Sequence, residues 1–249
     1  MTSKRILLHL VLGCTAIPIG SSDGNAADPP KSFILQDGNR IVFLGNSITE
    51  AGTTAEGYIT LFRLFCDVNG YEIESLNAGI SGHKSNDMLA RLQTDVIDKK
   101  PDWVSISCGV NDVWHFNHTP PQGIPLEDYQ KNMTEIVEHC TAAGIKILLL
   151  TATPIFENPD GPENTRLAAY NAFLRDLAKE KKLLLCDLSE ACLKQYKEKR
   201  TTENVLTTDG VHMNPKGYRL MAREILRTLG ATSQEIRQAE KRWELQNNL

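Results

Sequence analysis

Short apolar runs alternate along this chain with longer segments whose apolar residues fall three and four apart. The runs at 40–44, 72–76, 103–107, 145–150 and 183–186 are built largely from Ile, Leu and Val and read as strands. The segments 58–68, 87–99, 126–143 and 163–182 carry a helical period and lie between them. In the third, Met133, Ile136, Val137 and Cys140 make one stripe, Lys131, Glu135 and Glu138 another, and Gly144 supplies the stop. A last helix is punctuated at both ends, with Asn214 as N-cap, Pro215 at the first helical position and Gly230 at the stop. Beyond it, 233–248 is rich in charge with a sparse apolar stripe at Ile236, Ala239 and Trp243, the pattern of a surface helix or a frayed tail. Strands and helices in alternation require right-handed crossovers. The expected fold is a three-layer α/β/α sandwich around a central five-stranded parallel sheet.

With 249 residues, 41% hydrophobic and 23% charged, the chain has material for one α/β core and lacks the composition of disordered or fibrous proteins. Its net charge of -4 comes without any block of Lys and Arg, so no nucleic-acid partner is expected. The amino terminus differs in kind: Lys4 and Arg5 precede an apolar run to about Ile19, then small and polar residues, the order of a secretory signal. Interrupted by Gly13, Pro18 and Gly20, the run is too short for a membrane span of ~20 residues. A cut near Asn25-Ala26-Ala27 fits the small-residue rule, whereas "LVLGC" at 10–14 resembles a bacterial lipoprotein box that would make Cys14 a lipid anchor. On this reading 1–27 is the signal, 28–38 a spacer, 39–230 the main domain and 231–249 a helical tail, and the protein is exported to the periplasm or beyond. Of six cysteines, Cys66, Cys108, Cys140 and Cys186 lie in apolar periodic segments and none has metal-site spacing, so they are expected to be buried and mostly unpaired, with a disulfide between two of them left open.

Ligands of open α/β sheets bind beyond the carboxyl ends of the strands, so chemistry is sought just after the strand runs. Ser47 follows the first in "FLGNSITEAG", Gly79 and Gly82 follow the second in "LNAGISGH", and Asn111 follows the third in "SCGVND". The hand-over from Gly45 to small polar residues is either an ordinary turn or one that presents Ser47 at the sheet edge. A serine becomes a nucleophile when a histidine, oriented by a carboxylate, takes its proton. Among six histidines His212 stands apart, three residues after Asp209 in "TTDGVHMNP", a turn that holds carboxylate and imidazole on one side. Acyl transfer also needs donors aimed at the developing oxyanion, and the backbone N–H of Ser47, the backbone N–H of Gly82 and the side-chain amide of Asn111 are the candidates. Singly, each stretch is an ordinary turn; the signal lies in their order and placement.

Four ordered blocks, "GNSIT", "NAGISG", "GVND" and "DGVH", spread over about 41–229, resemble those of the SGNH hydrolases of the GDSL esterase/lipase superfamily. The resemblance implies a carboxylic ester hydrolase of flavodoxin-like α/β fold, with Ser47 as nucleophile, His212 as base, Asp209 orienting it, and Ser47, Gly82 and Asn111 forming the oxyanion hole. No cofactor is expected. The family's usual Asp before the serine is Asn46 here, which leaves the triad intact and removes any role that needs a negative charge there. Members cleave acetyl groups from polysaccharides, acyl chains from lipids, and thioesters. The aromatic stretch "NDVWHFNHTPPQGIP", with Pro154 and Phe156, is expected to wall the cleft, Trp114 stacking on a sugar, lining an acyl groove or simply packing. The leader, and the lack of a long apolar loop, favour a small-acyl carbohydrate esterase with Trp114 and Phe156 as substrate contacts. A lysophospholipase or thioesterase is the first alternative, and a secreted carbohydrate-binding protein without turnover the second. A metal reading through Asp112, His115 and His118 is disfavoured by their Pro-rich loop, which has no helical register. No metal is expected.

Overall fold

The computed structural model describes residues 33–198 and 204–246; the expected leader, Cys14 and the expected cleavage site lie outside the described residues. Five strands, β1 (Arg40–Gly45), β2 (Glu74–Gly79), β3 (Trp103–Ser107), β4 (Lys146–Leu150) and β5 (Leu184–Cys186), pair in parallel in the order β2-β1-β3-β4-β5. The helices along the chain are α1 (Ser47–Glu50), α2 (Tyr58–Asn69), α3 (Ser85–Ala90), α4 (Leu92–Asp95), α5 (Val110–Trp114), α6 (Leu126–Ala142), α7 (Pro162–Lys181), α8 (Leu188–Lys197), α9 (Pro215–Thr228) and α10 (Ser233–Gln246). Of these, α2, α8, α9 and α10 pack on one another as one layer, while α3, α6 and α7 form the other. This is the expected sandwich.

A central parallel strand is covered on both faces, so it has no polar side to alternate with. β1 shows this directly, with Ile41, Val42, Phe43 and Leu44 all fully buried. The Phe43 ring meets the edges of Tyr58 and Phe62 of α2 at 5.7 and 5.4 Å between centroids. Each such large side chain contributes about 1.5–3 kcal/mol on burial. From β1 the chain steps outward to β2, then crosses back past β1 to lay down β3, β4 and β5. The reversal falls between β1 and β3, which is where doubly wound sheets open a crevice for a ligand. Ser47 leaves β1 and Asn111 follows β3, so the two sit on either side of it.

Several elements differ from expectation for identifiable reasons. β2 starts two residues later and runs through Gly79, which is therefore its last residue and not part of the loop after it. The single helix expected at 87–99 is broken into α3, α4 and a 3-10 turn about Arg91, whose backbone leaves the helical region at φ -106°, ψ 5° and whose side chain turns inward. α8 was not anticipated, although Leu188, Cys192 and Tyr196 at four-residue spacing, after an Asp187 that caps Glu190 N–H at 3.1 Å, mark it. Within the charged 233–248 segment, Ser233–Gln246 is a docked helix: Ile236, Ala239 and Trp243 are buried, and Trp243 Nε1 donates to Leu61 O at 3.1 Å. Packing begins inside the 28–38 stretch, since Phe33 and Leu35 join the core and Ile34 N–H donates to Leu229 O at 2.9 Å. Cys66, Cys108, Cys140, Cys186 and Cys192 are all free and buried. Among the described residues no helix is long and apolar enough to cross a membrane.

Candidate active site

β1 ends at Gly45 for a steric reason and not a torsional one. A Cβ there would lie 2.0 Å from Thr49 Oγ1, so only glycine lets the first turn of α1 fold back onto the strand end. The turn itself is made by Asn46, extended at φ -103°, ψ -152°, whose Oδ1 accepts the Ile48 N–H at 3.0 Å. Such capping needs an acceptor oxygen and no charge, which an amide supplies as well as a carboxylate. Ser47 is therefore the first residue of α1, half-buried, and its N–H is one of the opening donors with no intrahelical acceptor. The helix is braced from below. Tyr58 OH donates to Thr49 Oγ1 at 3.1 Å, Tyr218 OH to Ile48 O at 3.1 Å, and Asn77 Nδ2 to Thr49 O and Glu50 O at 2.9 and 3.0 Å.

The turn that carries Asp209 and His212 is organised by the aspartate. One oxygen, Oδ1, accepts the backbone N–H groups of Val211 and His212 at 2.9 and 2.8 Å, while Oδ2 lies 2.6 Å from His212 Nδ1. The three-residue spacing is thus what one carboxylate needs to close a turn with one oxygen and hold an imidazole with the other. Burial draws the Asp209 carboxyl upward, but these hydrogen bonds from the His212 ring and from the two backbone groups outweigh it and hold the carboxyl below its usual range. An ionised carboxylate only accepts, so His212 Nδ1 carries a proton, and in the neutral imidazole Nε2 is the acceptor. Nε2 stands 2.9 Å from Ser47 Oγ, whose hydroxyl donates to it across 165 positions of sequence. Gly210 closes the turn at φ +94°, where a Cβ would meet the Phe156 ring at 2.7 Å.

The loop after β2 is tied to the same edge. Ser81 donates to Glu50 of α1 through both its N–H, at 2.9 Å, and its hydroxyl. Gly82 follows at φ +78°. Asn111, buried at the start of α5, donates from Nδ2 to His83 O at 3.0 Å, which leaves the second amide hydrogen for another acceptor. Arg91, the residue that breaks the expected helix, reaches three groups: Gly45 O at 2.9 Å, His83 Nδ1 at 3.1 Å and Asp95 Oδ2 at 2.8 Å. It ties the end of the serine's strand to the Gly82 loop. Arg91 and Glu50 have no motif signal in the sequence, and Asn77, though it opens the "NAGISG" block, has no role assigned by it; the roles of all three become visible only through these contacts.

Trp114 stands edge-on to His212, with ring centroids 6.2 Å apart at 79°, and also meets His115 and His118. Phe156 is 43% exposed and lies against the Asp209 turn, its N–H donating to Gly210 O at 2.6 Å. Pro154, expected beside it, is buried and lines a different hollow with Leu167, Asn171 and Leu193. Asp112 turns away from the two histidines: it is buried and accepts Ser85 N–H at 3.0 Å, while His115 and His118 stack on each other at 4.3 Å. No group of three His, Cys, Asp or Glu among the described residues could hold a metal ion.

Comparison with known proteins agrees with this geometry. Residues 43–220 match the GDSL-like Lipase/Acylhydrolase family. An acetylxylan esterase of Geobacillus stearothermophilus is 29% identical over 215 residues, spanning 79% of this chain and 96% of that protein. The crystal structure of a catalytic mutant of an acetylxylan esterase from the same organism, with an aspartate replaced by alanine, superposes with a TM-score of 0.73 at 29% identity, over 80% of this chain and 97% of that one. A Bacillus subtilis protein named an uncharacterized lipoprotein is 28% identical over 60% of this chain and 70% of its own length. With the family match extending from inside β1 into α9, through every block that carries the site, the chain belongs to the GDSL-like lipase/acylhydrolase family and is a carboxylic ester hydrolase of the SGNH type.

Proposed function

We propose that this protein removes small acyl groups, acetyl first among them, from carbohydrate hydroxyls by serine-nucleophile chemistry. The observation that carries the reading is the hydrogen-bonded path from Ser47 Oγ through His212 to Asp209, at 2.9 and 2.6 Å. In this reading His212 Nε2 takes the Ser47 proton as Oγ attacks the ester carbonyl, and Asp209 steadies the imidazolium that forms. The oxyanion is met by the N–H groups of Ser47 and Gly82 and by the hydrogen of Asn111 Nδ2 that His83 leaves unused. Collapse of the intermediate expels the sugar hydroxylate, which takes the proton from His212. Water, deprotonated by the same imidazole, then frees the acid and regenerates Ser47. Trp114 and Phe156 flank the His212 turn and are assigned to contact the sugar. Support for the substrate class comes from the relative named an acetylxylan esterase, which this chain matches over nearly that protein's whole length. Support for an aspartate in the catalytic machinery comes from the neighbour whose catalytic mutant replaces an aspartate by alanine. Export rests on the leader pattern and on the relative named a lipoprotein.

The test is a series of p-nitrophenyl esters of rising chain length beside acetylated xylan, run with wild type and Ser47→Ala. Highest kcat/KM on the acetate, release of acetate from xylan and a loss of ~10⁴ or more in Ser47→Ala are expected. A maximum at eight carbons or longer would replace the sugar reading with a lipid or thioester one, and an active Ser47→Ala would remove the nucleophile.

A further inference from the structure

Glu157 is a buried carboxylate that the proposed chemistry does not use, and its surroundings are specific. Its Oε2 accepts the backbone N–H of Val205 at 2.7 Å. Its Oε1 accepts the N–H of Leu206 at 2.7 Å, and both the N–H and the hydroxyl of Thr207 at 2.8 Å. Three consecutive amides are thus gathered onto one side chain 48 to 50 positions earlier in sequence. These amides immediately precede Thr208 and Asp209. Thr207 then passes the constraint on: its Oγ1 also accepts Gly210 N–H at 3.2 Å, and its backbone pairs with Met213 as an isolated antiparallel bridge. Thr208 N–H donates to His212 O at 2.8 Å. The next residue back, Phe156, clasps the same turn through Gly210 O. Phe156 and Glu157 both have positive φ, 58° and 48°, a conformation that two successive non-glycine residues adopt only where surrounding contacts enforce it. Burial alone would draw the Glu157 carboxyl upward, yet the amide and hydroxyl donors bring it below its ordinary range, so it receives those bonds as a carboxylate.

We propose that Glu157 is a positioning residue for the reaction: its carboxylate clamps 205–207 and through them fixes Asp209, the carboxylate that orients His212 toward Ser47. The proposal rests on the Ser47–His212–Asp209 reading above. A misplacement of reacting groups by about 1 Å can cost ~10²-fold in rate. Glu157→Gln keeps the shape but replaces one acceptor oxygen with a donor facing amides, so kcat on p-nitrophenyl acetate should fall ~10- to 100-fold with KM within about two-fold.

A merely structural residue would act independently of Asp209, so the deciding measurement is a double-mutant cycle with Asp209→Asn, each variant shown to be folded by circular dichroism and thermal melting. Because Glu157 acts through Asp209, Glu157→Gln in the Asp209→Asn background should cost less than about two-fold more. The same factor lost again in that background, or a folded Glu157→Gln at wild-type kcat with Asp209→Asn crippled, overturns the positioning role and leaves the triad standing. A fully active Asp209→Asn instead overturns the triad reading itself. Should Glu157→Gln not fold, Thr207→Val removes the hydroxyl at constant shape and should lower kcat several-fold, with Thr207→Ser recovering most of it. Thr207→Val at full rate would sink the clamp.

Discussion

His115 shows how one side chain near the site couples folding to pH. Its ring is buried beside Trp114 and stacked on His118, and Nδ1 has no hydrogen-bond partner among the described residues. Burial, with smaller contributions from the nearby His118 and Lys84 charges, pushes its pKa down to about 4. Because the ordinary value is ~6.5, the unfolded chain takes up a proton between these limits that the folded chain refuses, so stability rises with pH across that window and is lost on acidification. His115→Phe keeps an aromatic ring for the stack and has nothing to protonate. The fall in Tm between pH 7 and pH 5 should therefore shrink, by about 2 °C or more if the contribution reaches ~1 kcal/mol. Melting curves at the two pH values check this, and an unchanged difference would show that acid sensitivity arises elsewhere. Proximity to His212 does not by itself make a histidine functional; His115 is explained by its burial.

At the scale of the element, legibility followed periodicity. Helices α6 and α9 stand where their stripes and caps put them, within a residue at either end. α9 keeps Asn214 as cap, its Oδ1 accepting Gly217 N–H at 3.0 Å. The helix around Arg91 broke because Arg91 serves Gly45, His83 and Asp95 at once, and a contact made across the fold leaves no trace in local spacing. α10 was underrated for the opposite reason. Its apolar stripe is sparse, but Trp243 is fully buried against α2, and Tyr71 OH donates to Glu235 at 2.6 Å. A few large contacts replace a continuous stripe. Trp243→Ala should then cost about 3–5 kcal/mol, read as a lower denaturant midpoint at unchanged m-value. Acetate-ester turnover at 25 °C should stay within about two-fold, because α10 packs chiefly on α2 and α9, neither of which carries Ser47 or His212. A loss of less than 1 kcal/mol would mean that the helix is held by its ion pairs and not by the indole.

For the whole molecule, the sequence and the fold meet in the choice of what lies at the sheet edge and what lies beneath it. Ser47, the Gly82 loop and Asn111 could be placed at the carboxyl edge from strand positions alone, but their union with the Asp209 turn could not: nothing local links Ser47 to a histidine 165 positions away, and that pairing rests on the chemistry of the residue types and on the ordered blocks of the family resemblance. Glu157 carries no sequence signal, since a single charged residue in a proline-rich loop has no period to betray its partners. The cysteines are the complementary case, legible because an apolar periodic context is the whole of their role. Burial pushes the thiols of Cys66, Cys140, Cys186 and Cys192 up to about 12 and that of Cys108 well above its ordinary value. The thiolate is the reactive form, so in the native protein at neutral pH all five are both inaccessible and protonated. Ellman's reagent should label none of the five before unfolding and all five in guanidinium, in a single phase that tracks the loss of ester hydrolysis. In protein cut after residue 27, which lacks Cys14, one equivalent reacting promptly at pH 8 would place that thiol at the surface and contradict the core as described. Alkylation with an iodoacetamide reporter and mass mapping would identify which thiol it is.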